Sequence, residues 1–106
     1  MEKTIKIGDK DITLRATAAV PYLYLEMFGR DMLVDMAEAS NGRNTALFTR
    51  LAYIMAKHAD KEQVPGRLVE WLDGFDTFDI YQAIPSIMGV WELNEKTTAK
   101  SKKKVD

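Results

Sequence analysis

The chain has 106 residues, 46% of them hydrophobic and 29% charged, and a formal net charge of −1. A chain of this length builds one small domain with a modest core, so a two-domain enzyme with a cleft between lobes is excluded, and the composition is globular rather than disordered. Cysteine is absent, which removes disulfides, thiolate nucleophiles and cysteine–metal sites and suits a cytosolic chain; no stretch approaches the ~20 apolar residues of a membrane span, and no apolar segment follows Met1 as a signal peptide would require.

Thr4-Ile5-Lys6-Ile7 and Asp11-Ile12-Thr13-Leu14-Arg15 alternate polar and apolar residues about Gly8-Asp9-Lys10. Two period-2 runs joined by a short glycine-bearing turn predict a β-hairpin with Ile5, Ile7, Ile12 and Leu14 on one face. A lone hairpin is marginal in water, so that face must pack on something else. Val20, Leu23, Tyr24, Met27 and Phe28 then fall at helical spacing. Thr17 is placed to cap this first helix, Pro21 fits its first turn, and Gly29 ends it. Asp31 caps a second helix with Met32, Leu33, Met36 and Ala37 expected inward, broken by Ser40-Asn41-Gly42.

Asn44 or Thr45 opens a third helix with Leu47, Phe48, Leu51, Ala52, Met55 and Ala59 on its stripe. After the breaker Val64-Pro65-Gly66, a short helix carries Leu68, Val69, Trp71 and Leu72. Gly74 interrupts, Asp76 or Thr77 caps the last helix, and Asp79 lies near its positive end. The stripe expected there is Tyr81, Ile84, Ile87, Met88 and Trp91, with Pro85 kinking or splitting it. Both tryptophans, Trp71 and Trp91, are expected in the core. The fold class that follows is mostly helical α+β. An N-terminal hairpin packs on four to five helices in a single domain over residues 1–94, and a disordered basic tail occupies residues 95–106.

That tail holds five lysines against two acids, a balance of +3, while residues 1–94 hold 10 basic and 14 acidic residues, a balance of −4. An acidic body with a basic end does not make the basic folded face that nucleic acid needs, so no nucleic-acid partner is expected. His58 is the only histidine. Asp60 and Glu62 are near it in sequence, but residues two apart point to different sides of a helix, so we expect a histidine at a helix edge without chemical consequence. Glu70, Asp73, Asp76 and Asp79 recur every three residues; this is not a calcium-loop spacing, and helix capping accounts for the aspartates better. Phosphate-binding glycine loops are absent. No catalytic residue, cofactor or metal site is therefore expected, and the sequence gives no support for an enzyme. Tyr22 and Leu25 stand off the first helix's stripe, as Tyr53 and Ile54 stand off the third's, so these four are the candidate partner-binding residues. Met27, Met32, Met36, Met55 and Met88 suit a protein that docks helices of varied sequence.

One linear order of segments carries a family likeness. The hairpin opening Lys3-Thr4-Ile5-Lys6-Ile7-Gly8-Asp9-Lys10-Asp11 is followed by Tyr24-Leu25-Glu26-Met27-Phe28-Gly29-Arg30-Asp31, then by Leu51-Ala52-Tyr53-Ile54-Met55-Ala56-Lys57 and Val69-Glu70-Trp71-Leu72-Asp73. Phe78-Asp79-Ile80-Tyr81-Gln82-Ala83-Ile84-Pro85-Ser86-Ile87-Met88 and Trp91 close it before the lysine-rich end. This order resembles the tail assembly chaperones of long-tailed phages and prophages of Gram-positive bacteria, over residues 1 to about 104. The resemblance implies a non-enzymatic protein that binds the long helical tape measure protein in the host cytoplasm, keeps it soluble and helps the tail tube protein polymerise around it. It also implies absence from the finished virion, and a longer product made by ribosomal frameshifting, for which Lys102-Lys103-Lys104 offers an A-rich codon run. Self-association is a further expectation, since several copies would be needed along one long helix. No membrane partner is expected. The rival reading is a structural virion component such as a head–tail connector or tail-completion protein, which would be retained in particles.

Overall fold

The computed structural model begins with an antiparallel hairpin of β1 (Glu2–Ile7) and β2 (Lys10–Arg15), followed by α1 (Ala19–Phe28), α2 (Met32–Ser40), α3 (Ala46–Ala59), α4 (Leu68–Leu72) and α5 (Asp79–Val105). The structure describes residues 1–92, which takes α5 as far as Glu92; the disordered tail expected over residues 95–106 lies outside the described residues. The chain is thus a two-stranded hairpin packed on five helices, the α+β class the sequence predicts.

The hairpin register pairs Ile5 with Ile12 and Ile7 with Lys10. The loop is therefore only Gly8-Asp9, one residue shorter than the expected Gly8-Asp9-Lys10. Gly8 adopts φ +65° while Asp9 does not enter the left-handed region, the pattern of a turn that needs glycine at its first position only. A β-carbon at Gly8 would also collide with the Asp79 carboxylate at the start of α5. Ile5, Ile7 and Leu14 are buried and Ile12 half-buried. Their shared face packs with β2 against α3 and β1 against α5, which gives the hairpin the cover that two strands need.

α3 is the central element, touching β2, α1, α2, α4 and α5. Leu47, Leu51, Ala52, Tyr53, Ile54, Met55 and Ala56 are all buried on it. Tyr53 and Ile54, expected outside the core, are 0% and 2% exposed. The reason is that α3 has neighbours on every side over these turns, and a helix so placed is apolar all round rather than along one stripe. The Tyr53 hydroxyl donates to the Pro65 carbonyl, and its ring lies 5.6 Å from that of Trp71, which in turn meets Phe75 edge-on at 5.0 Å.

The stripes of α5 and α2 are rotated from expectation, while α1 keeps Val20, Leu23, Tyr24 and Phe28 inward. On α5 the buried residues are Ile80, Ala83, Ile87, Val90 and Trp91, whereas Tyr81 is 52% exposed. Ile80, Ala83, Ile87 and Val90 keep helical spacing; the true face begins one residue earlier than the large aromatic suggested. On α2, Met32 and Asp35 face inward while Leu33 and Ala37 face out. On α1, Met27 at the last turn is exposed. Val69 of α4 is also exposed. Trp71 and Trp91 are both buried as expected. α5 passes through Pro85 as one helix, so the proline does not split it. Pro85 leaves the Tyr81 carbonyl without its helical donor, at a residue exposed enough for water to take that place.

Candidate partner-binding surface

α1 is framed by local signals. Thr17 Oγ1 accepts from Ala19 N–H at 3.2 Å, one residue ahead of Ala18, which holds the N-cap position without a side-chain bond of its own. Pro21 is the third residue of the helix, where a missing N–H costs nothing. Gly29 closes it in the left-handed conformation, its N–H donating to the Leu25 carbonyl at 2.8 Å. Two residues later Asp31 Oδ1 accepts from Leu33 N–H and Val34 N–H at 2.9 and 3.3 Å. This tight corner sets the first turn of α2 against the outer side of α1.

The result is an apolar groove of about 350 Å³ lined by Pro21, Tyr22, Leu25, Met32 and Leu33, with Ala18 and Asp31 at its ends. Tyr22 is 67% exposed, Leu25 50% and Leu33 61%. Of the four candidate partner-binding residues, Tyr22 and Leu25 are brought together here. Tyr53 and Ile54 are in the core, although Ile54 does reach the floor of a smaller groove of about 240 Å³ on the other flank of α1, beside Leu23, Met27 and His58. Glu26, Lys57 and Lys61 rim that second groove. α1 therefore stands between two apolar grooves.

A buried polar knot that sequence reasoning missed ties α2 to α1 and α3. Asp35 is 1% exposed, the only buried charged side chain among the described residues. Its carboxylate accepts from Tyr24 Oη at 2.6 Å, from Arg30 Nε at 2.9 Å, from Arg30 Nη2 at 2.9 Å and from Asn44 Nδ2 at 2.7 Å. Arg50 Nη1 lies 3.5 Å from it and donates to Asn44 Oδ1 at 3.1 Å. Asn44 holds φ +54° to make this contact, a conformation that asparagine tolerates better than most residues. The Arg30 guanidinium is the main force holding the Asp35 carboxyl below the usual carboxylate range. Burial, reinforced by the Asp35 carboxylate, pushes the Tyr24 phenol up to about 12. With its acceptor sites filled, Asp35 holds α1, α2 and α3 in fixed relation. The legible signal was position: residues 32, 35 and 36 share one helix face, so an aspartate at 35 falls on the inward side.

His58, at the last turn of α3, pairs through Nε2 with Thr17 Oγ1 at 3.0 Å, and its buried Nδ1 has no partner. Burial first, then Arg15 and Lys61, lower its pKa from 6.5. Of the four spaced carboxylates, Asp79 Oδ2 accepts from Asp76 N–H at 2.8 Å, half of a capping box. Among the described residues no three such side chains converge as a metal site, and no helix is long and apolar enough to cross a membrane. Compared with models of protein families, with curated proteins and with solved structures, the chain gives no match.

Proposed function

We propose that this protein is a helix-binding chaperone of phage tail assembly, which docks an apolar stripe of the tape measure protein on the outer face of α1. The observation that supports this reading is the α1–α2 groove, where Tyr22, Leu25 and Leu33 expose large apolar surface around a concavity. A monomeric protein rarely leaves such a patch uncovered without a use for it. An amphipathic helix laid in a groove is a recurrent mode of recognition, with anchors three to four residues apart. Pro21 and the Asp31 cap hold the walls of the groove in place, so little ordering entropy is lost on binding. A tape measure protein exposes apolar helical stripes until the tail tube encloses it, and covering them keeps it soluble. The tail tube protein is the second partner of this reading, and the host cytoplasm is its compartment.

Co-expression with a tape measure fragment tests it. The wild-type chain should carry an otherwise insoluble fragment into the soluble fraction. Tyr22→Ser with Leu25→Ser should lose that effect while keeping the melting temperature, because both side chains are already half or more in water. Failure of the wild type to solubilise the fragment would contradict the function. Full retention by the double variant would remove this groove as the site.

A further inference from the structure

α1 has 10 residues and a single charged one, Glu26. A helix apolar almost all round belongs in a core, yet Leu25 and Met27 on its two flanks are 50% and 44% exposed. The flank that carries Met27 packs on α3 and leaves a groove between the two helices. Its two walls have the same spacing. Leu23, Glu26 and Met27 of α1 stand at i, i+3 and i+4, and so do Ile54, Lys57 and His58 of α3, with Lys61 just beyond the end of that helix. Rows at this spacing are the ridges between which a third helix packs. The space is about 240 Å³, below the ~300–1,000 Å³ of pockets that enclose a drug-sized molecule, so it suits the anchor side chains of a larger partner. The walls are held in place. His58 Nε2 pairs with Thr17 Oγ1 at 3.0 Å, which ties the last turn of α3 to the start of α1, and Lys57 Nζ donates to the Lys61 and Val64 carbonyls at 3.3 and 3.1 Å. Little ordering entropy is then lost on binding.

The rims carry opposite charge, Glu26 on the α1 side and Lys57 and Lys61 on the α3 side. The Glu26 carboxylate and the Lys61 ammonium have no ion pair or hydrogen bond among the described residues. We propose that the α1–α3 groove receives an amphipathic helix of a partner protein whose apolar stripe has basic residues along one edge and acidic residues along the other. The basic edge meets Glu26 and the acidic edge meets Lys61, which fixes register more than it adds affinity. Turning such a helix end for end exchanges its two edges, so the rim charges set the direction in which it lies. This site is on the other flank of α1 from the α1–α2 groove and does not depend on what binds there.

A synthetic peptide of about 15 residues, near the length at which an isolated helix becomes stable, tests the proposal. It carries leucines at i, i+3, i+4 and i+7, lysines along one edge and glutamates along the other. It is added to the full chain bearing Tyr22→Ser and Leu25→Ser, which takes the α1–α2 groove out of the measurement. The expected result is a saturable shift of the amide resonances of Leu23, Met27, Ile54 and His58. Met27→Ser should weaken binding about tenfold and Lys61→Glu about fivefold, both without change in melting temperature, since Met27 is half in water and Lys61 is exposed. Glu26→Lys with Lys61→Glu should restore the affinity and turn the peptide round, so that a nitroxide at its N-terminus broadens amides at the opposite end of the groove. No saturable shift, binding that ignores Met27→Ser, or a peptide that keeps its direction when the rims are reversed would overturn the proposal. So would decanoate binding in the groove more tightly than the peptide, or a second copy filling it, seen by light scattering as a dimer that Met27→Ser abolishes.

Discussion

At the scale of single residues, Asp35 is the most consequential position. It is a buried carboxylate with four partners, Tyr24 on α1, Arg50 on α3 and Arg30 and Asn44 in the connections on either side of α2, and these side chains have their geometry set by it. Removing one member of a buried ion pair costs about 3–5 kcal/mol, most of it from the charge left behind. Arg30 keeps 43% of its side chain in water, so Asp35→Ala should fall at the lower end of that range, about 3 kcal/mol by urea denaturation. A variant as stable as the wild type would show that the knot contributes nothing net. His58 adds a pH dependence. Its folded pKa lies below the 6.5 of the free side chain, so the unfolded chain takes up the proton first. Stability should be level above about pH 6.5 and fall as pH drops through the folded pKa. The Asp35 carboxyl, lowered from 3.8, adds a second loss only below that value. His58→Gln should remove the first fall and leave the second; melting temperatures across pH 2 to 8 separate them.

At the scale of elements, the helix starts and stops were legible because each has a local cause. Thr17, Gly29, Asp31 and Gly42 act within a turn of themselves, and the structure places them at or next to the ends of α1 and α2. The faces were less legible, because facing depends on what packs alongside. Nothing within α3 reveals that five elements surround it, so Tyr53 and Ile54 looked surplus to its stripe. Tyr81 looked like core because it is large, yet Ile80 and Ala83 take that face. Half of the candidate surface, Tyr22 and Leu25, followed from periodicity. Leu33 did not, because its exposure comes from the turn between α1 and α2. The hairpin offers an element-scale prediction. Gly8 combines a left-handed φ with contact against Asp79, so Gly8→Ala should destabilise by more than ~1 kcal/mol. Gly66, with open space around it and no left-handed φ, is the control, and Gly66→Ala should be neutral or better. Equal effects at the two positions would remove the turn from the account. Trp91 closes the inward face of α5, and Trp91→Ala should cost about 3–5 kcal/mol, enough to unfold a domain of this size or nearly so.

At the scale of the whole molecule, the fold divides its labour. The hairpin, α3 and α5 make the core, while α1 and α2 are fixed to it by Val20, Tyr24, Met32 and the Asp35 knot. This leaves the outer side of α1 free to present Tyr22 and Leu25 on a rigid support. The central claim is that this face receives an apolar helix. Hydrogen–deuterium exchange of the full chain, with and without a soluble tape measure helix, tests it most directly. The account predicts added protection in α1 and the first turn of α2, with α4 and α5 unchanged. Protection confined to α4 and α5, or no change anywhere at saturating helix, would contradict it.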